Sequence, residues 1–332
     1  MNERASSPEE QPEELRDELL TKPDSVTDGA PATVEDEVAD PDHTDKLTLF
    51  PDDRTSPLEP ISFVRKTADL SKEPMPEIHV VKRCEVGAIR ERNEDACLVF
   101  MSDTGGSFPL MPFGLYIVAD GMGGHQNGHI ASKTASRLVA HKIINKIYIP
   151  LLREDENPIQ APIQEVMTEA VQAAHQAIYD PDPDQDGGTT LTAALILGRR
   201  LYIAHVGDTR VYMKTADKFE MLTTDHSLVQ RLQDVGQLTA EEATFYQYRH
   251  ILLRALGQGE EIEVDIYMRS LPKSGTLLLC TDGLCGMVSD NELKEILNQD
   301  IPLEQTADNL LEAAMTAGGY DNITAILVRF QM

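Results

Sequence analysis

A short apolar run that ends in an acid and a glycine-rich turn, residues 116–125 (YIVADGMGGH), constrains this chain most. The apolar run predicts a buried strand. A carboxylate at the end of a buried strand is held by rigid backbone, which suits a metal ligand, and this places Asp120 at such a position. Gly121 lets a backbone carbonyl approach the same ion because no Cβ stands in the way. An aspartate with no role beyond the turn would give the same pattern, so only recurrence of the pattern can favour a metal ligand.

The pattern recurs twice further along the chain. An apolar run over 275–281 ends at Asp282 and Gly283, and Asp321 stands before a last apolar run, after a double-glycine helix stop. Three carboxylates at strand ends, with few nitrogen or sulfur donors nearby, favour a hard cation that prefers oxygen. Mg²⁺ and Mn²⁺ are the natural candidates.

Eight motifs that contain or accompany these acids occur in a fixed order. They are RERNEDA (90–96), ADGMGGH (119–125), GGTTLT (187–192), VGDTR (206–210), LTTDHS (222–227), RALG (254–257), TDG (281–283) and DNIT (321–324). Any one of them is weak evidence, but the ordered set resembles the metal-dependent Ser/Thr protein phosphatases of the PPM (PP2C-like) type, in their bacterial form. The resemblance covers about residues 78–330.

The resemblance implies a fold and an activity. The fold class is α+β, an αββα sandwich in which two packed antiparallel sheets are flanked by helices on both faces. The activity is hydrolysis of phosphoserine and phosphothreonine in proteins by direct attack of a hydroxide that bridges two metal ions, which opposes Ser/Thr kinases.

Two alternatives to this enzyme stay open on the same fold. One is a catalytically weak or silent metal-binding regulatory module. The other is a regulator of a single partner, such as an anti-sigma antagonist protein. All the expected metal acids are present, which favours the enzyme.

The resemblance also assigns metal ligands. Asp120 would bridge two ions, Asp282 and Asp321 would complete the first site, and Glu94 with the Gly121 carbonyl would help the second. Mn²⁺ or Mg²⁺ keeps several waters, so a sparse set of protein ligands is enough.

Further residues are assigned to the substrate and to support of the ligands. Arg90 would hold the phosphoryl oxygens, because its planar guanidinium donates paired, charge-assisted hydrogen bonds. His125 is the candidate general acid for the leaving alkoxide, since imidazole titrates near neutral pH. A turn histidine is an equal alternative at that position. Asp95 and Asn322 are predicted to contact and position the metal ligands without binding the metal themselves.

A third, weaker ion is a further expectation from the family. The acidic loop before residue 187 offers Asp184 and Asp186 as candidates, although a solvated acidic loop would have the same composition. Asp208 and Asp225 are interpreted as turn and capping acids.

The chain departs from the family's usual pattern in a predicted mobile flap after residue 227. The stretch 245–250 (FYQYRH) replaces a region where His-Pro and Asn are common, and Leu253 stands where Thr is common. This aromatic stretch would pack the flap down or form a substrate surface, and packing is preferred. His129 stands where Glu is usual, at no proposed ligand position.

Hydrophobic periodicity predicts the remaining secondary structure. Strands are expected at 78–86, 96–101, 191–197, 201–206, 210–214, 219–222, 262–269, 275–281 and 324–330, and helices at 130–147, 163–178, 227–235, 239–248, 289–298 and 303–317.

The distribution of charge separates an acidic N-terminal segment from the rest of the 332-residue chain and limits the classes of partner. The first 60 residues hold 18 acidic and 5 basic residues, so we expect a disordered acidic tail over 1–75 and a phosphatase domain over 76–332. Twenty-nine basic against 56 acidic residues, a net charge of −27, argue against nucleic acid and anionic membranes.

Partners and location follow from the same features. The expected partners are phosphorylated proteins, Ser/Thr kinases among them, and the protein is expected to be a monomer. No apolar run reaches the roughly 20 residues that span a bilayer, the N-terminus is too acidic for a secretory signal, and the four cysteines lack zinc-like spacing. These observations predict a cytoplasmic protein with free thiols.

Overall fold

A computed structural model describes residues 76–102, 111–123, 127–153, 159, 161–180 and 187–332. The predicted tail over residues 1–75 lies outside them. In the described part of the chain, no helix is long and apolar enough to cross a membrane.

Two five-stranded antiparallel sheets form the centre of the described structure. In the first sheet the strand order is β1-β12-β11-β8-β9. Its strands are β1 (Glu77–Glu85), β8 (Arg210–Lys214), β9 (Phe219–Met221), β11 (Ser274–Cys280) and β12 (Ile323–Gln331). The long terminal strands pair in register from Glu77 with Gln331 to Glu85 with Ile323.

The second sheet has the order β10-β7-β6-β3-β2. Its strands are β2 (Ala96–Ser102), β3 (Phe113–Ala119), β6 (Leu191–Leu197), β7 (Arg200–Val206) and β10 (Asp265–Ser270). A separate short pair, β4 (Gly121–Met122) and β5 (Gly188–Thr189), lies just beyond the end of β3.

Helices cover the outer faces of both sheets. The helices are α1 (Gly128–Ile143), α2 (Ile149–Leu151), α3 (Ile163–Ile178), α4 (Leu228–Asp234), α5 (Ala240–Phe245), α6 (Asp282–Cys285), α7 (Asp290–Leu297) and α8 (Leu303–Thr316). Apolar residues of α1 and α3 pack on the second sheet, and those of α6, α7 and α8 pack on the first. A third apolar cluster fills the space between the sheets, so the predicted αββα sandwich is confirmed.

Strand β3 shows why the organising stretch is apolar throughout. Leu115 and Ile117 face the helices, whereas Tyr116 and Val118 face the other sheet. Successive side chains of a strand point to opposite faces, so a strand between two apolar layers needs no polar alternation. Every residue of β3 is buried.

The structure differs from the predicted elements in a few places. The predicted helix 130–147 continues through a π-helical turn, Ile144–Tyr148, into α2. Pro150 has no N–H to donate within the helix, which explains the local change of hydrogen bonding. The predicted strand 262–269 begins only at Asp265, and the short helix α6 was not predicted.

Candidate active site

Strand direction brings the three predicted acids to one end of the sandwich. Asp120 follows β3, Asp282 follows β11 after one residue, and Asp321 precedes β12. Because β11 and β12 are antiparallel, the end of β11 lies beside the start of β12. The carboxyl groups of Asp120 and Asp282 are within hydrogen-bonding reach of each other, and Asp282 also senses the charge of Asp321.

These acids create a concentrated negative charge in a poorly solvated position. Burial raises the pKa of Asp120 well above its usual range, and the charges of Asp95 and Asp282 raise it further. Burial, followed by the charge of Asp321, also raises the pKa of Asp282. One buried oxygen each of Asp95 and Asp282, Oδ1 in both, has no hydrogen-bond partner. Such groups fit a bound cation, which would offset the repulsion and occupy the free oxygen.

Arg90 supplies the positive charge next to this cluster. Its Nη2 donates to Oδ2 of Asp321 at 2.8 Å, and Oδ1 of Asp321 accepts from the Asn322 backbone at the same distance. The hydrogen bond to Asp321 raises the pKa of Arg90, and the charges of Glu94 and Asp120 add to this. Among the described residues, no three His, Cys, Asp or Glu side chains are already gathered as a metal-ligand group. Asp321 instead faces the guanidinium.

Asn322 fastens the loop that carries Arg90 and Glu94. Its buried side chain accepts from the Glu94 backbone N–H at 2.7 Å. It also donates to the carbonyls of Val86 and Arg92, both at 2.9 Å. Both ends of the loop between β1 and β2 are thereby tied to the start of β12, which holds the loop against the acids.

Gly121 occupies a position where only glycine fits. A Cβ there would collide with the backbone carbonyls of Gly128 and Glu94. The Gly121 N–H donates to the Glu94 carbonyl at 3.2 Å, and the carbonyl of Asp120 accepts from Thr189 Oγ1 at 2.8 Å. The turn after β3 is therefore fixed from both sides, which positions Asp120.

Asp95 supports the cluster from a buried position. Thr281, the residue before Asp282, donates its hydroxyl to Oδ2 of Asp95 at 2.9 Å. Burial raises the pKa of Asp95 to about 8. A carboxyl group in this setting is sensitive to any positive charge placed near Asp120 and Asp282.

Asp208 is a member of the cluster that sequence reasoning missed. Burial raises its pKa well above the usual range, and the charges of Asp282 and then Asp225 add to this, which places it near Asp282. The sequence favours a turn or capping acid at this position, but Asp208 lies two residues beyond β7, at a strand end like that of Asp120 after β3. Strands β3 and β7 are both antiparallel to β6, so their C-terminal ends lie at the same end of the sheet. An acid after an apolar run was the signal available in the sequence.

Asp225 has a different role from the predicted cap. Arg210 donates to both of its oxygens, from Nε at 3.0 and 3.1 Å and from Nη2 at 2.7 Å. The cap of α4 is Ser227, which accepts from Gln230. Asp225 therefore forms a charge pair at the rear of the site.

Other predicted positions lie elsewhere or beyond description. His125, Asp184 and Asp186 fall outside the described residues. In the flap, the preferred packing interpretation does not hold for Phe245, whose exposed fraction is 86%. Leu253 is 52% exposed.

Comparison with known proteins identifies relatives across most of the chain. The family model described as Protein phosphatase 2C matches residues 90–327. The serine/threonine phosphatase stp of Listeria innocua is 40% identical over 252 residues, which are 76% of this chain and 95% of that protein. The protein phosphatase PhpP of Streptococcus pneumoniae is 33% identical over 74% of this chain and 94% of its own length.

Solved structures agree with the sequence relatives. The catalytic domain of the serine/threonine protein phosphatase PstP, in complex with two manganese ions, superposes with a TM-score of 0.61 at 32% identity. It covers 78% of this chain and 100% of its own. The Mycobacterium tuberculosis serine/threonine phosphatase PstP/Ppp gives 0.62 at 34% identity, covering 77% of this chain and 99% of its own. This chain belongs to the protein phosphatase 2C family.

Proposed function

We propose that this protein is a metal-dependent serine/threonine phosphatase that hydrolyses phosphoserine and phosphothreonine in proteins. The observation that carries the proposal is the meeting of Asp120, Asp282 and Asp321 at one end of the sandwich, next to Arg90. Three acids from separate strands, together with a guanidinium, provide both a cation site and a phosphate contact.

The ligand set assigned to the metals is Asp120, Asp282 and Asp321, with Glu94 and the Gly121 carbonyl. We propose Mn²⁺ or Mg²⁺, because the donors are oxygens. When bound, two such ions act as Lewis acids and make a water nucleophilic near neutral pH. The raised pKa values and the unpartnered Asp282 oxygen support this assignment.

Asp208 is a further candidate for this group, because its carboxyl interacts electrostatically with Asp282. Asp184 and Asp186 stay candidates for a third ion.

Arg90 can exchange Asp321 for a substrate phosphoryl group. The Arg90 side chain is 51% exposed and that of Asp321 33% exposed. A half-exposed ion pair is worth at most about 1 kcal/mol, so its loss costs little. A phosphoryl group offers the planar guanidinium two oxygens in fork geometry. Separation of the pair would therefore leave Asp321 able to bind the metal ion and Arg90 able to bind the substrate phosphoryl group.

His125 is proposed to donate the proton that the leaving Ser or Thr oxygen needs. In the sequence it follows Asp120 by five residues, at the end of the 119–125 motif. Asp95 and Asn322 are proposed to position rather than react, since their contacts are with Thr281 and with the backbone of the 86–94 loop.

The proposed partners are phosphorylated proteins, among them Ser/Thr kinases, and the protein is proposed to act as a cytoplasmic monomer. The net charge of −27 means that a substrate is drawn to the local cations rather than to the surface as a whole. No observation favours the silent regulatory module, and the sequence contains every acid expected for metal binding.

A phosphothreonine peptide assayed with Mn²⁺, and again with EDTA, tests the proposal. Hydrolysis should require the metal, and Asp282→Asn should lower kcat by more than about tenfold, because loss of a residue that only supports a metal ligand already costs about 10–100-fold. Asp308→Asn is the matched control, because Asp308 lies on α8 and pairs with Arg83 of β1, and neither residue is a proposed ligand. Turnover like that of the wild type in Asp282→Asn would remove Asp282 from the mechanism.

A further inference from the structure

Two cysteines flank the loop that carries Arg90 and Glu94, one on the strand before it and one on the strand after it. We call this base of the loop its neck. Cys84 is the last but one residue of β1, and Cys97 is the second residue of β2. These strands belong to different sheets, so the loop between them, 86–95, bridges the sandwich at the site end. The two side chains are within hydrogen-bonding reach of each other, and both are half-buried.

The two sulfurs have unequal surroundings. Cys84 Sγ accepts from Thr324 Oγ1 at 3.2 Å and from Asn93 Nδ2 at 3.4 Å. The hydrogen bond from Cys97 lowers the pKa of Cys84 to about 6, and those from Thr324 and Asn93 act in the same direction. The same sulfur–sulfur contact, followed by burial, raises the pKa of Cys97. Of the two sulfurs, Cys84 is therefore the one that ionises more readily and is the better nucleophile.

We propose that Cys84 and Cys97 are a peroxide-sensitive pair that closes to a disulfide at the neck of the 86–95 loop. The Cys84 thiolate attacks one oxygen of hydrogen peroxide, the O–O bond breaks, and hydroxide leaves and takes a proton to become water. The Cys97 sulfur then attacks the sulfenic acid, its proton goes to the departing hydroxide, and a second water forms. Two thiols lose two electrons, and one peroxide is reduced to two waters.

The bond would disturb the residues that hold the loop. Cys84 Sγ is the acceptor that orients the Asn93 amide, and Asn93 Oδ1 in turn accepts from the Asp95 backbone at 3.0 Å. A disulfide turns Cys84 Sγ toward Cys97 and removes the charge that attracts both donors. The part of the loop next to Glu94 loses this support, so oxidation should lower kcat/KM severalfold and a dithiol should restore it. Only this effect on activity rests on the proposed function; formation of the disulfide does not.

A second cysteine pair provides an internal control. Cys280 and Cys285 are also within hydrogen-bonding reach, but both are buried. The contact with Cys280 and burial raise the pKa of Cys285, whose Sγ donates to the Thr281 carbonyl at 3.3 Å. Because both sulfurs are buried and the Cys285 thiolate is disfavoured, this pair should not react with peroxide.

The test treats the full-length protein with hydrogen peroxide at about pH 7.5, blocks free thiols and maps the tryptic peptides. Cleavage after Arg83, Arg90 and Arg92 places the two cysteines on separate peptides, so a crosslink is read directly by mass. We expect Cys84 linked to Cys97, with Cys280 and Cys285 still free. Both neck thiols remaining free at peroxide doses that oxidise glutathione, or a link that forms first between Cys280 and Cys285, would overturn the proposal.

Activity and variants separate the parts of the proposal. Cys97→Ser should abolish the crosslink and leave a trappable sulfenic acid on Cys84, whereas Cys84→Ser should leave Cys97 unoxidised. If these variants do not fold, the wild-type map decides alone. Unchanged kcat/KM in the crosslinked protein would overturn the effect on the loop. If peroxide forms the crosslink but the untreated protein shows no phosphatase activity, the proposed function is overturned and the disulfide is established.

Discussion

Replacing Asn322 with alanine should destabilise the fold at the loop that carries Arg90. The Asn322 side chain is 4% exposed and makes three hydrogen bonds, all to backbone groups of residues 86–94. The substitution leaves the Glu94 N–H and the two carbonyls of Val86 and Arg92 without this partner. It removes no charge and adds no bulk, so the change reports the hydrogen bonds and a small cavity.

The size of the effect can be worked out from these contacts. An unpaired N–H in a partly buried position costs about 1–3 kcal/mol, and each lost donor to a carbonyl costs about 0.5–1.5 kcal/mol. The carbonyls keep a second lone pair for water, so the low end applies to them. The expected loss in the free energy of unfolding for Asn322→Ala is about 2–4 kcal/mol.

Urea denaturation in EDTA measures this loss without a contribution from bound metal. The midpoint should fall while the slope stays constant. Asn309→Ala is the matched control: Asn309 makes an exposed hydrogen bond to Gln299, so the change should stay within about 0.5 kcal/mol. Asn322→Asp, which keeps an acceptor for Glu94 but loses both donors, should also be destabilised. A loss below about 1 kcal/mol for Asn322→Ala would refute the reasoning.

Three further changes test other parts of the structure. Gly121→Ala should lower the free energy of unfolding by about 1–3 kcal/mol, because the new Cβ meets the carbonyls of Glu94 and Gly128; unchanged denaturation would contradict this close approach. Burial lowers the pKa of His205 to about 3, so only the unfolded chain takes up its proton below about pH 6.5. The stability that His205 contributes is complete above that pH and is lost by about 1.4 kcal/mol per pH unit toward pH 3; His205→Gln should flatten this slope in urea midpoints between pH 7.5 and 5, and an unchanged slope would count against it. Arg90→Ala should raise KM for a phosphopeptide by about 10–100-fold, the loss of a charge-assisted contact, and an unchanged KM would exclude Arg90 as the phosphate contact.

The family resemblance predicted the fold, and local patterns in the sequence were sufficient to predict that three of the clustered acids stand at strand ends. Asp120 and Asp282 each follow an apolar run and precede glycine, and Asp321 precedes another such run, so their strand-end positions could be read directly. The convergence of these ends came from the family resemblance, because the pairing of distant strands leaves no local signal.

What the sequence did not reveal depends on that pairing. Asp208 joins the cluster only because β7 and β3 run in the same direction, one strand apart, which requires the order β7-β6-β3 to be known. Asn322 was predicted to support the ligands, but its three backbone partners lie on a loop more than 200 residues away. The neighbourhood of Cys84 and Cys97 likewise arises from two strands of different sheets.

Crystals grown with Mn²⁺ and measured at the manganese absorption edge test the central claim most directly. The account predicts anomalous peaks bound to Asp120, Asp282 and Asp321, at about 2–2.3 Å from carboxylate oxygens and with two ions about 3.5–4 Å apart. Asp321 should then have exchanged its contact with Arg90 for the metal. Crystals of active enzyme with no manganese at these three carboxylates would contradict the account.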